Sequence, residues 1–194
     1  MNLMTTNYKL IILFGKAGAG KDFLLRKVYE KRPDDINLII SDTTRPPRMS
    51  EKDGINYNFV TEEEFLARPH IETAYFNNWR YGTPYSSLDP KKVNLGVMNP
   101  EGIRQVYSQE NLDIHLFYIS APDKERLLRQ LTREEYPDVS EVCRRFLADE
   151  KDFCNLYRYP YRKLRNSVEF DINECVETIL NTVEELKADL DRIK

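Results

Sequence analysis

Residues 10–22, LIILFGKAGAGKD, constrain this chain more than any other stretch. An unbroken apolar run from Leu10 to Phe14 reads as a buried strand, and FLLRKVYEKR beyond the lysine reads as a helix with Leu24, Leu25 and Val28 on one face. Gly15, Gly18 and Gly20 lie between them, closing on Lys21. Glycines at such a junction let successive backbone N–H groups turn inward as an anion nest, and the helix that follows aims its positive dipole end at the same point. Strand, glycine-rich turn and helix match the phosphate-loop pattern G-x-x-x-x-G-K-[ST] at every position but the last, where Asp22 stands. Gly15, Ala17, Gly18, Ala19, Gly20 and Lys21 are therefore expected to hold a nucleotide's phosphates. Asp22 would offer a hard oxygen to Mg²⁺ in place of a hydroxyl. The plain alternative is a glycine-rich turn with Asp22 capping the helix.

Length bounds the architecture and charge narrows the ligands. A chain of 194 residues suits one α/β domain with a proper core. A net charge of −3 argues against general nucleic-acid binding. Cys143, Cys154 and Cys175 are odd in number and never spaced C-x-x-C, so neither a disulfide framework nor a zinc site is expected and a reduced, cytoplasmic setting fits. No run approaches the roughly 20 apolar residues of a membrane span, and residues 1–9 lack the apolar core of an export signal, so no membrane association is expected.

The second informative stretch follows an apolar run at residues 36–40. Residues 41–48, SDTTRPPR, form a polar turn at a strand end, where open α/β sheets bind their ligands. Arg45 and Arg48 flank two prolines, and a guanidinium presents a planar fork to phosphate oxygens. Asp53 and Gly54 then turn into a predicted strand over residues 55–60 that carries Tyr57. Taken alone, two surface arginines on a solvated loop explain this stretch as well.

The order GKAGAGK, SDTTRPPR, DGINYNFVTEEEF, IETAYFNNWRYGTP resembles the guanylate kinase family of P-loop nucleoside monophosphate kinases, over roughly residues 10–120 with a continuation to the end. The resemblance implies an α/β P-loop NTPase fold, a parallel sheet flanked by helices. It also implies a core of residues 1–40 and 90–194, an insert of residues 41–89 that binds the nucleoside monophosphate, and a lid at about residues 131–147. It implies that Arg45, Arg48, Tyr57 and Tyr81 hold the acceptor phosphate and that Ser41, Glu72 and Thr83 read guanine. Chemistry supports Glu72 separately, since a carboxylate can accept from both guanine N1–H and the exocyclic amine. Two family aspartates are absent: Val97 and Asn99 stand in their places, and Asn99 keeps only hydrogen-bonding capacity on the acceptor side. Asp22 is expected to supply the charge missing at Val97.

Residues 114–119 read as a core strand and residues 123–133 and 140–155 as helices around a turn holding Pro137. By resemblance, lid arginines fold over the transferring phosphoryl group: Arg133 with Arg144 or Arg145, and Arg129 in reserve. Those arginines alternate with acids and also fit a solvated, ion-paired face. Asn166, by resemblance near the donor adenine, belongs to the approach to the last strand, which lies at residues 163–166 or 168–171. Residues 172–193 close the fold as an amphipathic helix. His70 and His115 read as isolated structural side chains. The implied reaction takes ATP and Mg²⁺ with GMP or dGMP to the two diphosphates, in a monomer or homodimer. Two rivals stay open: a kinase for another (deoxy)nucleoside monophosphate, and a guanylate kinase-like binding module with impaired catalysis.

Overall fold

A computed structural model describes residues 7–48, 51–76, 78–133, 135–154 and 158–192. The apolar run becomes β1 (Tyr8–Phe14), and every side chain from Leu10 to Phe14 is fully buried. A strand buried on both faces belongs at the centre of a parallel sheet. Parallel neighbours lie on either side: β7 (Val93–Val97), backed by β2 (Ile36–Leu38), and β8 (Leu112–Ser120), backed by β9 (Arg162–Arg165). The order is β2-β7-β1-β8-β9. Of the two positions open for the last strand, residues 162–165 form it, while Val168 and Phe170 are exposed in a turn.

Because side chains along a strand alternate between faces, β1 feeds two cores. Ile11 and Leu13 pack with Leu24 and Val28 of α1 (Lys21–Lys31) and with Val176, Ile179 and Val183 of α6 (Ile172–Arg192). Leu10, Ile12 and Phe14 pack with Ile103 and Val106 of α3 (Pro100–Val106) on the other face. Two further helices, α4 (Asp123–Leu131) and α5 (Val139–Asp152), follow β8. Glu134, Asn155, Tyr157 and Ile193, which fall within predicted elements or their borders, lie outside the described residues.

A second sheet of four strands has the order β4-β3-β6-β5. Part of residues 41–48, expected as a polar turn, is strand here: β3 (Asp42–Thr43) pairs with both β4 (Asn58–Phe59) and β6 (Trp79–Pro84). The strand expected over residues 55–60 shrinks to β4, since Lys52 carbonyl bonds curl residues 55 and 56 into a turn and leave Ile55 exposed. At the outer edge, β5 (His70–Phe76) pairs with β6. The connecting α2 (Glu62–Ala67) starts on a capping box of Thr61 and Glu64. His70 is structural but not isolated: its ring stacks on Phe65 at 4.2 Å, and Nε2 lies 3.2 Å from the fully buried Asp42 carboxylate. Asn58 and Arg68 also donate to Asp42, so this small sheet is locked by a satisfied buried acid.

Candidate active site

The loop after β1 delivers Lys21 to the first position of α1. Gly18 has φ +76°, a left-handed conformation, and a Cβ there would meet the Arg126 carbonyl oxygen at 2.5 Å. Only glycine fits. Lys21 Nζ donates to the carbonyls of Gly15 at 2.7 Å and Lys16 at 3.3 Å. Burial lowers the Lys21 ammonium below its ordinary pKa, with Asp22 and then Asp149 pulling it back up. Asp22 is exposed in the first turn of α1. Asn166, expected near a donor adenine, donates Nδ2–H to the Ala19 carbonyl at 2.8 Å and so braces the loop. Arg129 joins that brace, donating to the carbonyls of Gly18 and Asn166 and pairing with Glu125 at 2.8 Å.

Two residues at this loop escaped sequence reasoning. Asp149 of α5 accepts the Ala17 amide at 2.8 Å and the Arg126 guanidinium at 2.5 Å. Arg126, only 1% exposed, also donates to the Ala17 carbonyl at 3.0 Å and pairs with Asp123 at 2.6 Å. Burial pushes the Asp149 carboxyl up from its ordinary value, against the pull of the Ala17 amide, Arg126 and Lys21. The next residue, Glu150, pairs with Lys16. Consecutive acids of α5 thus grip consecutive residues of the phosphate loop. One signal was available: Asp149 is seven residues past Val142, on the buried face of α5, where an acid is out of place.

Across the cleft, three residues expected to read a base form one chain. Thr83 Oγ1 donates to Glu72 Oε1 at 2.7 Å, and Ser41 Oγ lies 3.2 Å from Thr83 Oγ1. Burial raises the Glu72 carboxyl above its ordinary pKa, with the Thr83 bonds opposing. Gly102 in α3 closes over it: a Cβ there would meet Glu72 Oε2 at 3.0 Å. Beside this chain, Tyr57 and Tyr81 make an edge contact with ring centroids 6.0 Å apart. Arg45 lies over the Tyr57 and Phe59 rings and binds Glu51 with two bonds of 2.9 Å. Arg48 is exposed, and its amide donates to Glu51. Asn99 accepts the Gly102 amide at 2.7 Å as the N-cap of α3, so its side-chain oxygen is already engaged while the residue borders the cleft.

A cleft of about 350 Å³ joins the two halves, lined by Ala17 and Lys21 on one side and by Ser41, Tyr57, Glu72 and Tyr81 on the other. Arg144 and Arg145 of α5 also line it, and both grip Glu141, holding that carboxyl down to about 2. Arg133 is exposed past the end of α4 and does not line this cleft. Val97 does, as an apolar wall. Among the described residues no group of three or more His, Cys, Asp or Glu could hold a metal, and no helix is long and apolar enough to cross a membrane.

A parallel sheet whose central strand turns through a glycine loop and lysine into a helix is the architecture of the P-loop NTPases. The sequence model of the guanylate kinase family matches residues 7–185. The chain belongs to the guanylate kinase family. It is 33% identical over 193 residues to the guanylate kinase of Clostridium perfringens strain 13, covering 95% of this chain and 87% of that one. It is 32% identical to that of Schizosaccharomyces pombe over 74% of both chains. The crystal structure of guanylate kinase from Anaplasma phagocytophilum has the same fold, with a TM-score of 0.64, 22% identity and coverage of 94% of this chain and 87% of that one.

Proposed function

We propose that this enzyme transfers the terminal phosphoryl group of ATP to GMP or dGMP. The observation that carries the reading is that Lys21 in its loop and the Ser41–Thr83–Glu72 chain open onto one cleft. ATP phosphates would take the loop amides and Lys21. A carboxylate at Glu72 accepts from guanine N1–H and the 2-amino group, whereas adenine has no such pair of donors. Glu72 left buried and unpaired costs about 2 kcal/mol, which rejects adenine.

Tyr57, Tyr81, Arg45 and Arg48 take the acceptor phosphate. Arg45 is held against two rings and by Glu51, and it meets the acceptor phosphate by sharing or exchanging the Glu51 bonds. Arg144 and Arg145 leave Glu141 to meet charge that develops on the transferring group. Residues 41–89 act as the insert and residues 131–147 as the lid, and their closure excludes water. A nucleotide-borne Mg²⁺ keeps most of its waters and needs only one or two carboxylates from the protein, a demand that Asp22 beside Lys21 fits. When bound, the ion neutralises charge on the phosphate oxygens. A cytoplasmic enzyme acting as monomer or homodimer on small nucleotides accords with this chemistry.

A coupled assay tests the reading. Purified protein should consume ATP only when GMP or dGMP is added, and should form both diphosphates. Consumption with AMP, CMP or UMP at the same rate would contradict the base assignment.

A further inference from the structure

The strand that carries Glu72 is the outer edge of the small sheet, so one side of its backbone has no strand partner. An edge like this exposes N–H and C=O groups that must be satisfied in another way. Two glutamines, one in α3 and one in the turn that follows it, do so. Gln105 Oε1 accepts the Thr73 amide at 2.9 Å, and Gln105 Nε2 donates to the Thr73 carbonyl at 2.8 Å. Four residues on, in the turn after α3, Gln109 Nε2 donates to the Ile71 carbonyl at 2.6 Å. Gln109 is itself fixed by the Tyr85 hydroxyl, which donates to Oε1 at 2.8 Å. The residues bound in this way, 71 and 73, are those on either side of Glu72.

We propose that Gln105 and Gln109 are positioning residues for base recognition: their side-chain amides stand in for a missing strand and set the Glu72 carboxylate against the acceptor. The inference rests on Glu72 reading guanine. Side-chain amides suit the task because one group supplies both a donor and an acceptor, as a neighbouring peptide would. The same helix carries Gly102 against the Glu72 carboxylate. It begins directly after β7, the neighbour of β1, so these bonds tie the base site to the strand that leads into the phosphate loop.

Steady-state kinetics of four variants test this: Q105A, Q109A, E72Q and the double variant Q105A/E72Q. Q105A should raise KM for GMP about tenfold, with kcat at saturating GMP and KM for ATP within about twofold of the parent. Q109A should do the same more weakly, since it removes one bond to β5 rather than two. In the E72Q background Q105A should add less than about twofold, because the group it positions has already lost its charge. A general loss of folding would instead move kcat, both KM values and the melting temperature together. The inference is overturned if Q105A leaves KM for GMP within about twofold, moves kcat or the ATP value as far, or costs as much without the Glu72 carboxylate as with it. Should Q105A not fold, Q105E decides: it keeps the Thr73 N–H bond and repels the Thr73 carbonyl, and an unchanged KM for GMP counts against the proposal. E72Q separates the two levels, since an E72Q enzyme with normal KM for GMP overturns the Glu72 reading itself.

Discussion

Asp149 Oδ2 accepts the Ala17 amide at 2.8 Å, so a carboxylate of α5 occupies a donor of the phosphate loop. A nucleotide phosphate seeks donors of the same kind with greater charge. Asp149→Asn removes the charge that repels it. Isothermal titration of ATP without GMP should show tighter binding, by about threefold to tenfold. The melting temperature should fall, because Arg126, paired with Asp149 at 2.5 Å, loses part of its compensation in a buried setting. Weaker ATP binding by the variant would mean that Asp149 supports the loop rather than competing for it.

Glu72 gives the site a pH dependence. Burial raises its carboxyl, so the folded chain holds that proton more tightly than the unfolded chain does. Neutral Glu72 therefore adds stability that is complete below the ordinary carboxylate pKa and is lost as pH rises through the raised folded value. Glu72→Gln should raise the melting temperature at about pH 8 and leave it unchanged at about pH 4. In the proposed reading GMP needs the ionised form, so KM for GMP in the parent should climb as pH falls through the same window while KM for ATP holds. An acid limb in KM for GMP that persists in Glu72→Gln would assign the titration to another group.

The phosphate loop was the most legible element, because an apolar run, three glycines and a lysine carry their own geometry. Apolar runs marked β1, β2 and β8 and helical periodicity marked α6, whereas the sequence left the last strand, β9, open between two positions. The short strand at Asp42 and Thr43 was not, since two residues cannot display an alternation, and its pairing is settled by β4 and β6. Asp149 and Arg126 sat among helical charges that looked solvated, and only the packing of α4 and α5 against the loop buries them. Gln105 and Gln109 lacked any signal, because a glutamine in a helix or in the turn after it is ordinary until an edge strand lies beside it. Asn99, expected toward the acceptor, borders the cleft, and its side chain caps α3.

The arginines expected over the transferring phosphoryl group separate by position. Arg144 and Arg145 line the cleft and share Glu141, whereas Arg133 is exposed beyond α4. Arg144→Ala and Arg145→Ala should each lower kcat at least about tenfold, as expected for charge offset in the transition state, with KM for GMP little changed. Arg133→Ala should stay within about twofold of the parent. Equal losses at all three positions would place Arg133 in the closed site.

Asp22 stands where the family pattern has a hydroxyl, and Val97 removes an acid from the cleft wall. Asp22→Asn should raise the Mg²⁺ concentration for half-maximal rate several-fold, and Mg²⁺-dependent binding of ATP, read by titration calorimetry, should weaken in parallel. Asp22→Ser should fall between the two. An unchanged metal requirement in Asp22→Asn would end the idea that this carboxylate replaces the one lost at Val97.

The central claim is that two nucleotides meet in one cleft, with Lys21 on the phosphates of one and Glu72 on the base of the other. Calorimetric titration with adenosine and guanosine joined by a polyphosphate bridge tests it most directly. One such molecule should bind per chain, and Lys21→Ala and Glu72→Gln should each weaken it by about tenfold or more. Binding of two molecules per chain, or indifference to either substitution, would contradict the account.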